Sequence, residues 1–120
     1  MAYPNTAKIY KQNQVTTASP KELVLLLYQG CIKNLRLAEL SIDEKRLDLA
    51  NEKLIKAQNI IQELMNTLNT EVGGEVALNL EALYDHFLTE LVQANLKKDK
   101  EKIEYVRFKM NELLEAWTSI

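Results

Sequence analysis

The chain carries one histidine, His86, and one cysteine, Cys31. A dinuclear metal centre in a helical bundle asks for two Glu-x-x-His pairs and two further inward carboxylates. The residue three before His86 is Leu83, so that chemistry is excluded. Cys31 falls in the middle of a predicted helix, away from the helix N-terminus or cation that would make it a thiolate, and reads as a small buried apolar side chain. A single cysteine forms no internal bridge, which agrees with a reducing compartment. Gly73 and Gly74 form a loop with neither the strand nor the lysine of a phosphate-binding motif. Glu112 and Glu115 are spaced to share a helix face, where carboxylates mostly keep a surface soluble. These residues do not add up to a catalytic site, and we expect no enzyme, no cofactor and no metal.

The elements around them are helical. In 120 residues there are only 3 Gly and 2 Pro, while Leu, Ala, Glu, Lys, Gln and Asn dominate, which favours helices throughout. The net charge of −2 comes from interspersed signs, which argues against nucleic acid as a partner. No stretch supplies the roughly 20 apolar residues of a membrane span, and no secretory signal is visible, so a cytoplasmic protein without stable membrane insertion is expected.

Residues 1–18 are polar and read as an irregular N-terminal arm with isolated apolar anchors. In "SPKE", Ser19 and Glu22 form a capping box and Pro20 takes the first helical position, opening a helix over about 20–40. A second helix, about 44–69, has the clearest seam: Leu47, Ala50, Leu54, Ala57, Ile61, Leu64 and Leu68 alternate steps of three and four. "NTEVGG" ends it, with Gly73 or Gly74 supplying a left-handed residue. A third helix, about 75–96, places Val76, Leu80, Leu83, Phe87, Leu91 and Ala94 inward. Asp99 caps a fourth, about 100–117, with Ile103, Val106, Met110, Leu113 and Trp117 on one stripe. Short connections make antiparallel neighbours, so the expected fold is all-α: one domain, an up-down-up-down four-helix bundle.

Apolar residues exceed what such a bundle needs. On a helical wheel Leu23, Leu27, Gly30, Cys31, Asn34 and Ala38 share the inner side of the first helix. Leu25 and Ile32 stand on the opposite strip with Gln29 and Arg36. Ile55 lies off the second seam among Asn51, Gln58 and Gln62, and Tyr105 and Phe108 lie off the fourth stripe. Together they leave three readings open: a patch that a partner segment covers, a patch that the chain's own arm covers, or a thicker core. Leu25, Ile32 and Ile55, apolar where the bundle does not need them, are the contacts expected if a partner docks.

Four segments, "VTTASPKELVLLLYQG" at 15–30, "KLIKAQNIIQEL" at 53–64, "GGEVALNLEALYDHFLTELVQANLKKD" at 73–99 and "AW" at 116–117, resemble the flagellar export chaperone family FliS. The resemblance implies a bacterial cytosolic bundle that binds the disordered C-terminal segment of flagellin, prevents premature polymerisation, and delivers its client to the flagellar type III export apparatus. It also implies that the arm covers part of the client surface in the free protein. Carried over by matching position, Tyr10 and Val15 belong to the arm. Asn51, Leu54, Ile55, Gln58, Ile61 and Gln62 belong to the central helix, and Asn79, Leu83 and Tyr84 to the third. Two other readings fit the same surplus: a bundle that self-associates as a scaffold, and a regulator that sequesters a different partner.

Overall fold

The computed structural model describes residues 19–120, so the arm, with Tyr10 and Val15, lies outside the described residues. Four helices follow: α1 (Pro20–Asp43), α2 (Leu47–Asn66), α3 (Thr70–Lys97) and α4 (Lys100–Thr118). α1 packs on α2 and α4, and α3 packs on the same two. The four therefore form a ring in chain order, the all-α up-down-up-down bundle expected from the short connections.

Local chemistry sets the boundaries. Ser19 accepts from the backbone N–H of Glu22 at 3.1 Å, with Pro20 behind it; only this half of the capping box is made. Asp99 accepts from the N–H groups of Glu101 and Lys102, capping α4. Helix α1 runs three residues past its expected end, and Lys45 turns the chain with a φ of 60°. Helix α2 ends at Asn66, not at the glycines. The glycines instead break α3: Gly74 has φ 58° and ψ −134°, a conformation nearly exclusive to glycine. A Cβ on Gly73 would lie 2.8 Å from that of Ala77. Each glycine is thus required for a different reason.

The core holds Tyr28, Cys31, Leu35 and Ala38 of α1 against Leu54, Ala57, Ile61 and Leu64 of α2, with Tyr84, Phe87, Leu91, Ala94, Ile103, Val106 and Met110 from α3 and α4. The predicted seam of α2 is observed from Ala50 to Leu64, whereas Leu47 is exposed. Leu47 sits one turn before Asn51, which faces Asn95 near the end of α3, so no residue of that helix is left to cover it.

Two inner faces differ from expectation. In α1 the face centres on Tyr28 and Leu35, while Leu23 and Leu27 are only half-buried. The reason is that α1 has two neighbours. Gly30 approaches Ile60 of α2, and Glu39 pairs with Arg107 of α4, so its covered arc is wider than a single stripe. In α3 the inner row is Ala77, Tyr84, Phe87, Leu91 and Ala94; Leu83 is half-buried and Val76 exposed. Tyr84 is drawn inward because its hydroxyl has a partner there, the Tyr28 hydroxyl at 2.5 Å. A buried phenol left unpaired would be costly.

Candidate functional site

The residues that could carry chemistry lie apart: Cys31 is in the core and His86 is on the surface. Burial pushes the Cys31 thiol from its ordinary 9.0 up to about 12, and its Sγ points at the Ala57 carbonyl. Desolvation likewise raises the Tyr28 and Tyr84 phenols. His86 is exposed and shares a 3.1 Å hydrogen bond with the Tyr105 hydroxyl across α3 and α4. Among the described residues no cluster of His, Cys, Asp or Glu has the makings of a metal site, and no helix is long and apolar enough to cross a membrane.

Surface shape is more informative. Asn51, Ile55, Gln58, Gln62 and Met65 recur at steps of three and four, so they form one outer stripe of α2. An antiparallel stripe of α3, through Leu78, Ala82, Asp85, Val92 and Leu96, lies beside it. Between them are two depressions. One, about 470 Å³, is lined by Asn51, Ile55, Gln58, Val92, Asn95, Leu96 and Lys98. The other, about 300 Å³, is lined by Met65, Leu78, Glu81, Ala82 and Asp85. Ile55 is 43% exposed, Val92 50% and Leu96 80%. Asn95 donates to the Asn51 side-chain oxygen at 2.7 Å, tying the two walls together. From Asn51 to Met65 the wall is about 21 Å long at 1.5 Å per residue. A groove of that length, with aliphatic anchors and amides that both donate and accept, suits an amphipathic peptide segment.

The residues expected from sequence divide into groups. Asn51, Ile55, Gln58 and Gln62 come together on this groove. Leu54 and Ile61 are fully buried core, and Tyr84, 1% exposed, reaches only the cavity at the end of the bundle. Asn79 is exposed and Leu83 half-buried; by helical spacing they lie with His86, on the side of α3 that faces α4. Leu25 and Ile32 are half-buried on α1, and Ile32 lines a separate groove of about 310 Å³ between α1 and α4. Val92, Asn95, Leu96 and Leu78 were not foreseen. Their signal was present, since exposed aliphatics at Leu78, Val92 and Leu96 share one face of α3 away from its core row.

A further cavity, about 380 Å³, opens at the end of the bundle where α1 starts and α4 stops. Val24, Leu64, Leu68, Val76, Leu80 and Trp117 line it, with Tyr84 also in the lining.

Comparison with known proteins agrees with this architecture. The family model for the flagellar protein FliS matches residues 2–120. The flagellar secretion chaperone FliS of Bacillus subtilis is 44% identical over 117 residues, covering 98% of this chain and 86% of that protein. The proteins of the same name from Salmonella typhimurium and Vibrio cholerae are 37% and 33% identical, covering 95% and 94% of this chain and 85% and 83% of theirs. With a whole-length match to the family model and relatives this close, the chain belongs to the FliS family of flagellar proteins.

Proposed function

We propose that this protein is a non-enzymatic flagellar secretion chaperone of the bacterial cytoplasm. It holds the C-terminal segment of flagellin in the α2/α3 groove, keeps the subunit from polymerising, and presents it to the export apparatus. The observation that carries this reading is the exposed aliphatic row of Ile55, Val92 and Leu96, set between the Asn51–Asn95 amide pair and Gln58. A monomeric bundle gains nothing from leaving those side chains in water, at about 25 cal/mol per Å² of apolar area.

Occupation of the groove accounts for inhibition directly. A client segment whose apolar face lies against α2 and α3 cannot offer that face to another flagellin subunit. The client orders its backbone as it docks, at about 1–2 kcal/mol per residue, and that cost offsets much of the contact energy. Binding is therefore reversible, as release for export requires. A client continuing round the bundle would meet Ile32 and Leu25 on the far side, with Tyr10 and Val15 of the arm as further contacts.

The test is titration calorimetry of the full chain with a peptide carrying flagellin's C-terminal segment, followed by circular dichroism of the mixture. Binding heat and a gain in helicity at micromolar concentration are expected. Absence of both removes the proposal.

A further inference from the structure

We propose that Lys98, Asn95 and Asn51 cap the C-terminal end of the docked client helix, so that the α2/α3 groove takes its client in one direction only. This rests on the client reading above and adds a polarity to it. Lys98 follows the last residue of α3 with a φ of 52°. Its ammonium turns back to donate to the Asn95 carbonyl at 2.7 Å and to Asn95 Oδ1 at 2.8 Å. An ammonium only donates, so the side-chain atom it meets must be the oxygen, and the other arm of that amide is Nδ2. Asn95 Nδ2 in turn donates to Asn51 Oδ1 at 2.7 Å. Lys98 therefore fixes the orientation of both amides. What remains for a ligand is the Asn51 Nδ2 group, without a partner among the described residues, and the third N–H of Lys98. Both are donors, and Lys98 adds a positive charge.

The other end of the groove has the opposite chemistry. Glu81 and Asp85 line the depression beside Met65 and Leu78. Both are exposed, and neither carboxylate is paired among the described residues. No lysine or arginine occurs between Lys56 and Lys97, so neither wall supplies a cation at this end.

Donors at one end and acceptors at the other suit a helix of defined direction. The first turn of a helix leaves N–H groups open and the last turn leaves carbonyls open, with about half a positive and half a negative charge at the two ends. The open carbonyls match Asn51 and Lys98, and the open N–H groups match Glu81 and Asp85. From Asp85 to Asn95 is about 15 Å at 1.5 Å per residue, or about three helical turns. The client helix then runs parallel to α3 and antiparallel to α2, with Leu78, Ile55 and Val92 under its apolar face.

Calorimetry of the full chain with the flagellin C-terminal peptide at low salt tests the direction. Asn51→Asp keeps an oxygen for Asn95 but replaces the open donors with a carboxylate. Affinity should fall at least about tenfold, with unchanged circular dichroism and melting midpoint. Glu81→Lys with Asp85→Lys should lower it by a similar factor. Lys98→Met, which frees the Asn95 amide to turn over, should weaken binding severalfold, and Lys98→Arg, also a donor-only cation, should keep most of it. A client lying the other way would bind the first three variants more tightly, because its N-terminal turn would meet Asn51 and its open carbonyls the new lysines. Tighter or unchanged binding in any of those three overturns the proposal. A loss as large in Lys98→Arg as in Lys98→Met also overturns it, since a donor-only cation is then not what orients Asn95. If the unaltered chain binds no peptide, the client reading itself fails; if it binds and the variants do not weaken it, only the direction does.

Discussion

The side-chain amide of Asn95 on α3 donates to the side-chain oxygen of Asn51 on α2 at 2.7 Å, the one hydrogen bond that spans the walls of the α2/α3 groove among the described residues. Both ends are near water, so its net worth to folding is about 0.5–1.5 kcal/mol. Its larger effect is to fix where Ile55 stands relative to Val92. We expect Asn95→Ala to lower the melting midpoint only slightly while weakening the flagellin peptide severalfold by calorimetry. Equal losses in both would make the pair a folding contact alone.

The ion pair between Glu39 and Arg107 joins α1 to α4, with a second bond from the guanidinium to Oε1 at 3.0 Å. Glu39 is almost fully buried and Arg107 partly so. The hydrogen bond to Glu39 holds the Arg107 pKa above its ordinary value. Removing one partner of a buried pair costs about 3–5 kcal/mol, and the residual exposure of Arg107 places Glu39→Ala at or below the low end. Urea denaturation should therefore show a loss of about 2–3 kcal/mol for Glu39→Ala. Glu39→Met with Arg107→Leu should recover most of it.

Two backbone positions give opposite predictions. Lys45 holds a φ of 60° that costs a non-glycine residue, so Lys45→Gly should raise stability by up to about 1 kcal/mol. Gly74 has φ 58° and ψ −134°, so Gly74→Ala should lower stability by about 1–3 kcal/mol. Thermal melts of the two variants decide the sign. Hydrogen exchange should place the Gly74→Ala loss at the start of α3.

Much of this fold was legible because its signals are local. Ser19 and Asp99 cap helices wherever the chain goes, and the three-four alternation of Ala50 to Leu64 defines a seam without knowledge of the partner. The inner faces of α1 and α3 were less legible. A wheel does not reveal that α1 is covered from two sides, nor that the Tyr84 hydroxyl would find that of Tyr28. Asn51, Ile55, Gln58 and Gln62 could be read as an outer stripe of one helix. Val92, Asn95 and Leu96 could not be matched to them, because the register of α3 against α2 depends on the turn after Asn66 and the kink at Gly74.

Alkali should unfold the protein early. In the folded chain burial keeps Cys31 neutral up to about 12, whereas its ordinary value is 9.0; Tyr28 and Tyr84 are raised by the same desolvation. Between those two values the unfolded chain has lost a proton that the folded chain retains, so stability falls as pH rises. Below the lower value the contribution is fully present. The melting midpoint should drop steadily above pH 9.0, and Cys31→Ala should make that slope shallower.

The central claim is that Ile55 and Val92 are surface side chains whose work is to hold a client. Calorimetry of the flagellin C-terminal peptide against Ile55→Asp with Val92→Asp, alongside a thermal melt, tests it most directly. Each side chain is about half exposed, so stability should change by less than about 1 kcal/mol, while affinity falls at least about tenfold, or 1.4 kcal/mol. Unchanged peptide affinity in a well-folded double variant would contradict the account.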